Sequence, residues 1–313
     1  MNSLEKVRQA KEFLEGSGIE DADREAELIV AHCLGTERLI LYKDNPPIPE
    51  TVLQKIDEFV KRRSGREPLQ YILGYTEFHG IKIKVGPGVL IPRPETELLA
   101  EEAIKIVKRK ASNPPIPPFS KGGQGGITGN QMTSRSPLRI LDLCTGSGCV
   151  ALALANEFAD AEVYGTDASD DAVSYARENA RINNIGNVIF LKGSLFDPVR
   201  KIFTEDGSSA FDLITSNPPY IRHDDIKYLQ PEIREWEPAE ALDGGEDGLD
   251  YYRTIIPGAR DYLRERGSLI LEIGIGQADA VKRMAGDAGF SDISSTKDYA
   301  GIERIVTLMK ERG

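Results

Sequence analysis

Leu138-Arg-Ile-Leu-Asp-Leu-Cys-Thr-Gly-Ser-Gly148 opens as a run of apolar and β-forming residues, closes in a cluster of small ones and leads into Cys149-Val-Ala-Leu-Ala-Leu-Ala155. This is the pattern of a buried strand, a glycine turn and a helix. Glycines are needed there because a side chain would hold a ligand away, and the helix N-terminus that follows favours a carboxylate or phosphate. About 20 residues further on, Asp167 closes the next strand, where an acidic side chain can accept both hydroxyls of a ribose. The plain structural alternative is a tight strand–helix turn with a surface Asp. The loop alone does not name its nucleotide, since Gly146-Ser-Gly148-Cys-Val-Ala151 also satisfies the dinucleotide fingerprint with Ala in the last place.

Outward from this loop, strand and helix alternate. Strands are expected at Leu138–Leu143, Glu162–Thr166, Val188–Leu191, Phe211–Thr215 and Ser268–Ile273, with helices near Val150–Glu157, Asp170–Asn183, Leu249–Arg264 and Gln277–Ala288. Alternation of this kind implies a parallel sheet with helices on both faces. Ile293–Asp298 and Glu303–Lys310 are separated only by Tyr299 to Ile302, so a terminal hairpin should make one edge antiparallel. That tail is unlike a six-strand doubly wound dinucleotide sheet.

The chemistry is expected at Phe211-Asp-Leu-Ile-Thr-Ser-Asn-Pro-Pro-Tyr220. It reads as a short buried strand that stops at Asn217. Two prolines then forbid a helix or a ladder partner, and Pro218 pushes Asn217 into extended backbone. In open α/β sheets ligands bind outside the carboxyl ends of the strands. A stiff bend carrying a carboxamide, free backbone carbonyls and an aromatic ring suits a flat group with an –NH2, either an amide or an adenine edge. Asn-Pro also marks ordinary turns. Together with the glycine loop and the antiparallel tail, the bend favours S-adenosyl-L-methionine over a nicotinamide cofactor.

The first part of the chain reads as a small helical domain. Leu4, Val7, Ala10 and Leu14 keep helical spacing before Gly16; Asp23 to Leu34 ends at Gly35; Thr51 to Arg63, with Val52, Ile56, Phe59 and Val60 inward, ends before Gly65. A glycine just past each end predicts left-handed caps. Ile81, Ile83 and Val85 then alternate with Lys82 and Lys84, and Gly86-Pro-Gly88 predicts the turn of a β-hairpin that returns through Val89–Ile91. Pro92-Arg-Pro-Glu-Thr-Glu97 opens a helix to about Lys110, with proline and acidic residues at its N-terminal end. Asn113 to Pro137 is dense in Pro, Gly and Ser and reads as a flexible insertion without chemistry. The expected organisation is therefore 1–75 helical, 76–110 hairpin and connecting helix, 111–137 insertion, and 138–313 catalytic.

With 313 residues, 28% charged and 40% hydrophobic, the chain has an ordinary globular composition and length for about two domains. No apolar run reaches membrane-span length, and Met1-Asn-Ser-Leu-Glu-Lys6 lacks the apolar core of a signal peptide. Cys33, Cys144 and Cys149, with His32, His79 and His223, have no metal-ligand spacing, so reduced thiols, a cytoplasmic location and no metal are expected. A net charge of -11 argues against a phosphate-backbone partner and for a protein substrate.

Glu67-Pro-Leu-Gln-Tyr-Ile-Leu-Gly74, Ile91-Pro-Arg-Pro-Glu-Thr-Glu97, Asp142-Leu-Cys-Thr-Gly-Ser-Gly148 and Asn217-Pro-Pro-Tyr220 occur in that order. Together they resemble the HemK-type glutamine methyltransferases that modify peptide chain release factors. Gly244-Gly-Glu-Asp-Gly-Leu249 and Asp298-Tyr299 with Arg304 resemble that family's later signatures. The resemblance implies a Rossmann-like S-adenosylmethionine methyltransferase sheet with an antiparallel edge hairpin, preceded by a small helical domain that helps to dock the protein substrate. It assigns Cys144, Thr145, Gly146, Ser147, Gly148, Asp167, Leu195 and Asn217 to the cofactor. Asn217, Pro218, Pro219 and Tyr220 would hold the substrate glutamine, with Asn217, Pro218 and Tyr220 serving catalysis. The sequence departs from the family's pattern at Cys144, where glycine is common, and at Ser194, where an acidic residue is common. A release factor as partner, no direct nucleic-acid contact, no membrane and a monomer complete the expectation. The alternatives are an adenine methyltransferase acting on nucleic acid and a non-catalytic binding or assembly module.

Among lesser candidates, the resemblance places Arg93, Glu95 and Glu97 on the active-site rim, whereas position alone reads them as helix-end charges. Lys61-Arg-Arg63 reads as a solvated helix terminus in preference to a contact with a tRNA-like or ribosomal surface, and Trp236 as local packing in preference to a lid contact. Cys149, at the start of the loop's helix, reads as a buried small hydrophobe in preference to a thiol of lowered pKa.

Overall fold

A computed structural model describes residues 1–112, 137–203 and 211–311. Except at its two ends, the expected insertion at 111–137 lies outside the described residues. The helical part consists of α1 (Ser3–Gly16), α2 (Ala22–Leu34), α3 (Arg38–Lys43), α4 (Glu50–Ser64) and α5 (Leu69–Leu73). Val7, Ala10 and Leu14 of α1 meet Ala26, Ile29 and Val30 of α2 and Ile56, Phe59 and Val60 of α4 in one core. Those are the inward faces that the helical spacing marks. The helix ends differ from expectation. Gly35 takes the left-handed cap, but Gly16 is the last residue of α1 and Gly65 has φ -82°. α1 and α4 close instead with repeated backbone bonds from Ser17 and Gly65 to the last turn, which need no left-handed residue.

Arg63 is not solvated. Only 6% exposed, it bonds Glu25 of α2 at 2.5 Å and Glu232 at 3.0 Å, and Arg66 shares the Glu232 oxygen at 3.0 Å. Sequence spacing could not reveal this, because Glu232 lies far along the chain on α10 (Pro231–Arg234).

The hairpin is also displaced from its expected place. β1 (Tyr75–Phe78) and β2 (Ile81–Lys84) pair antiparallel with Phe78 opposite Ile81, so the turn is His79-Gly80, at φ 49° and 74°. Two successive positive φ values give the turn type whose twist matches a two-residue hairpin. Gly86-Pro-Gly88 instead lies against Tyr175 and Asp171, and Val89 and Ile91 are buried without forming a strand.

The large sheet contains β3 (Arg139–Leu143), β4 (Glu162–Asp167), β5 (Val188–Lys192), β6 (Phe211–Ser216), β7 (Leu263–Glu272), β8 (Phe290–Lys297) and β9 (Glu303–Lys310). Their order is β5-β4-β3-β6-β7-β9-β8, and only β9 runs against the rest. The terminal hairpin is therefore present, and its second strand lies inside the edge, between β7 and β8. Alternate strand residues point to opposite faces. Ile140, Val163, Leu213, Ile270 and Ile305 pack under α6 (Pro94–Ser112), α7 (Cys149–Glu157) and α8 (Asp170–Ile182). Leu141, Leu143, Ile214, Leu269 and Val306 pack under α11 (Asp250–Tyr262) and α12 (Ala278–Asp287), with Val199 of α9 (Asp197–Phe203) at the border. No helix among the described residues is long and apolar enough to cross a membrane.

Arg63→Ala leaves Glu25 and Glu232 as half-buried carboxylates without their shared cation and should cost about 3 kcal/mol. Urea unfolding checks this; an unchanged midpoint would return Arg63 to the role of a solvated terminus.

Candidate active site

Five adjacent strands bring their carboxyl ends to one side of the sheet. Leu143 pairs with Thr166 and with Ser216, and Ser216 in turn with Leu271. The glycine turn after β3, Asp167 at the end of β4 and Asn217 after β6 therefore emerge as immediate neighbours. Ser216 Oγ donates to the Leu143 carbonyl at 2.9 Å, which fixes the two central turns to each other. The site sits where the strand order reverses, between β3 and β6.

Cys144, Gly146 and Gly148 all have positive φ, of 55°, 55° and 82°. The thiol is thus accommodated in a backbone conformation that ordinarily favours glycine. A Cβ at Gly148 would lie 2.8 Å from the Phe190 ring and 3.0 Å from Ala176, so that position admits glycine only. At Gly146 a Cβ would meet nothing within 4 Å. This open space at the N-terminus of α7 fits an anionic or zwitterionic ligand end. Asp167 fits the role of ribose acceptor: Oδ2 takes the Gly146 N–H and Oδ1 the Ser169 N–H, each at 2.9 Å, leaving further lone pairs for hydroxyl donors. Burial raises its carboxyl pKa, and these backbone donors oppose the shift. Leu195 also has positive φ, 44°, and its carbonyl accepts from Thr166 Oγ1 at 2.8 Å, which holds the turn after β5 against β4. Ser194 beside it is exposed.

Below the glycine turn lies Asp142, the residue two before Cys144, for which the sequence carries no site expectation. It accepts from Thr145 Oγ1 at 2.6 Å and from Thr215 Oγ1 at 2.8 Å, tying the loop to β6. Burial pushes its carboxyl up to about 7, against those two hydroxyls. Asn179 of α8 is a second anchor, donating to the Ser147 carbonyl at 2.9 Å while bonding both backbone groups of Lys84 in β2.

The Asn217-Pro-Pro-Tyr220 corner is held from several sides. Asn217 Nδ2 donates to Thr96 Oγ1 at 3.0 Å. The Ile221 N–H bonds Leu242, and its carbonyl accepts from Gly244. Gln277 Nε2 donates to the carbonyls of Tyr220 and Gly248, at 3.0 and 3.1 Å. A Cβ on Gly248 would come within 2.4 Å of the Tyr220 carbonyl, which explains a glycine in that loop. The Tyr220 hydroxyl donates to Glu272 Oε1 at 3.3 Å, and burial pushes its pKa up. Among the described residues nothing donates to Asn217 Oδ1 or to the Pro218 carbonyl.

Every residue expected in the site is thus at this end of the sheet: Cys144 to Gly148, Asp167, Leu195 and Asn217 to Tyr220. The surrounding charges divide. Arg93 pairs with buried Glu237 at 2.6 Å, and Glu237 also takes the Ile91 N–H at 3.0 Å. Glu97 instead caps the hairpin through the His79 N–H at 2.8 Å. Trp236 packs on the core, and Cys149 is buried with its thiol pKa pushed up by that burial. Thr96, Glu272 and Gln277 hold the corner without any expectation from the sequence. Thr96 stands among charged neighbours in Pro92–Glu97, and Glu272-Ile-Gly-Ile-Gly-Gln277 places a carboxyl and an amide around a second glycine turn at a strand end.

This fold and this arrangement define a Rossmann-like methyltransferase. Residues 5–74 match the PrmC N-terminal domain and residues 134–272 a methyltransferase domain. The chain is 46% identical to the release factor glutamine methyltransferase of Thermodesulfovibrio yellowstonii, over 92% of this chain and 93% of that one. It is 41% identical to that of Geobacter sulfurreducens, over 94% and 92%. The solved delta-N METTL16 MTase domain shares the fold at 19% identity and TM-score 0.50, covering 75% of this chain and 90% of that one. The chain belongs to the release factor glutamine methyltransferase family, whose members are S-adenosylmethionine-dependent.

With a folded-state value near 7 against an ordinary 3.8, Asp142 keeps its proton in the native state where the unfolded chain has lost it. Its contribution to stability therefore falls as pH rises through that window. Asp142→Asn should flatten the decline in Tm between about pH 4 and about pH 8. Parallel wild-type and variant profiles in calorimetry would contradict the shift.

Proposed function

We propose that this chain methylates the side-chain amide nitrogen of the glutamine in the Gly-Gly-Gln motif of a peptide chain release factor, in the cytoplasm and as a monomer. The observation that carries this is a pair of acceptors, Asn217 Oδ1 and the Pro218 carbonyl, unpaired among the described residues on a corner fixed beside the glycine turn. Two acceptors at a rigid bend match the two N–H bonds of a primary amide.

Bound S-adenosylmethionine supplies an electrophilic methyl group on a sulfonium sulfur. Cys144 to Gly148 would hold its amino-acid end, Asp167 its ribose and Leu195 its adenine. An amide nitrogen is a weak nucleophile because its lone pair is delocalised into the carbonyl. By accepting both N–H bonds, Asn217 and Pro218 orient that lone pair and favour the nitrogen as positive charge develops on it. Pro219 and the Tyr220 ring wall the planar amide. A side chain lacking –NH2 leaves both acceptors unpaired in a dry pocket, which gives the selectivity. The helical part, 1–75, would dock the body of the protein substrate; its ion pair through Arg63 to Glu232 supports that reading by joining it to the segment that follows Tyr220.

Asn217→Ala should lower turnover on a release factor by about 100-fold or more while leaving cofactor affinity within a few-fold. Calorimetric titration with S-adenosylhomocysteine and a turnover assay separate the two, and equal losses would make Asn217 a cofactor residue. Peptide mass spectrometry should place one methyl group on the glutamine, and none on a Gln→Ala substrate. Label appearing on nucleic acid instead would overturn the substrate.

A further inference from the structure

Glu272 ends β7 one strand over from Asn217 and is 1% exposed. Its Oε1 accepts from Tyr220, while Oε2 is buried and has no hydrogen-bond partner among the described residues. A buried carboxyl oxygen left unsatisfied is costly unless another role compensates. Thr96, itself 2% exposed, adjoins Glu272: its hydroxyl opposes the upward push of burial on that carboxyl and also accepts from Asn217 Nδ2 at 3.0 Å.

The chemistry of these groups orders them. An ionised carboxylate only accepts, a hydroxyl has one proton, and a carboxamide has a donor end and an acceptor end. If the Thr96 proton is directed at Glu272, Thr96 offers only lone pairs to Asn217. The Asn217 –NH2 must then face Thr96, and Oδ1 must face the substrate. When Glu272 is protonated or replaced by a carboxamide it gains a donor end; with that end toward Thr96, the Thr96 proton turns to Asn217, whose amide can rotate and present –NH2 to the substrate –NH2. Two donors then meet and the amide is no longer held.

We propose that Glu272 and Thr96 are positioning residues that select the productive orientation of the Asn217 carboxamide, with ionised Glu272 setting the direction of the chain Asn217 to Thr96 to Glu272. This rests on the reading of Asn217 as acceptor of the substrate amide. The groups facing Glu272 are Glu95 and Thr96 from α6, Arg304 from β9, Tyr220 after β6, Tyr252 from α11 and Cys149 from α7. Glu95 and burial favour its neutral form; Arg304 and the Thr96 and Tyr220 hydroxyls favour the charged one. The balance places its ionisation near 7.

The test compares Glu272→Gln, Thr96→Val and Thr96→Ser in the full chain, using a release factor as substrate. Glu272→Gln and Thr96→Val should each lower kcat on the order of 10- to 100-fold, with the KM for S-adenosylmethionine within a few-fold. The two together should lose no more than either alone. Thr96→Ser should recover most of what Thr96→Val loses. The wild-type rise of kcat with pH through about 7 should vanish in Glu272→Gln. Should Glu272→Gln not fold, the Thr96 pair carries the test through the same pH profile, since Thr96→Val also breaks the chain. Wild-type kcat and pH profile in Thr96→Val, or losses that multiply in the double variant, would overturn the proposal. Full turnover by Asn217→Ala would instead sink the acceptor reading beneath it.

Discussion

The register between β3 and β6 is the constraint from which the rest follows. Leu143 opposite Ser216, with the Ser216 hydroxyl on the Leu143 carbonyl, leaves the residues after each strand no freedom to separate. A slip of one residue would turn the apolar set of β6 to the wrong face. Leu213 and Ile214, buried on opposite sides of the sheet, make that slip expensive. The hydrophobic core thereby sets how close the open space at Gly146 lies to the acceptors at Asn217 and Pro218, which are unpaired among the described residues. Packing and chemistry are one problem at this point.

A second constraint comes from outside the sheet. The chain between Tyr220 and Gly245 contains only short helical turns, yet it is tied at two acidic residues. Glu232 meets Arg63 and Arg66 of the helical part, and Glu237 meets Arg93 and the Ile91 N–H. Charges this buried need partners at both ends. The segment beside the Tyr220 corner is therefore positioned jointly by the helical part and by the Pro92–Glu97 run. A protein substrate that displaced α4 would be felt at this segment through Glu232.

Much of this was legible in the residues. The strand–helix alternation, the glycine turn and the double-proline corner each stand on local chemistry, and the structure has each, although β7 starts at Leu263 where a helix was expected to run to Arg264, β8 starts at Phe290 rather than Ile293, and α9 was not expected. The hairpin was misplaced by one turn because Gly86-Pro-Gly88 is the stronger local signal, whereas His79-Gly80 is chosen by pairing of Phe78 with Ile81. Arg63 was misread because its partners are distant in sequence, and a basic helix end has no local mark of burial. Thr96, Glu272 and Gln277 escaped for a similar reason. They act on Asn217 and Tyr220 across strands and helices, so their spacing in the chain carries no trace of it.

The two buried carboxyls sharpen this point. Asp142 and Glu272 lie beneath the two sides of the site, each pushed up to about 7 by burial, and each works against stability as pH rises toward neutrality. A core chosen for stability alone would replace them with apolar residues of similar volume. Asp142 meets two threonine hydroxyls; Glu272 leaves Oε2 with no partner among the described residues. Local rules are broken most readily where function compensates. The residue that breaks them furthest adjoins both Tyr220 and the Thr96 hydroxyl that holds Asn217, and there an apolar replacement could not direct a proton.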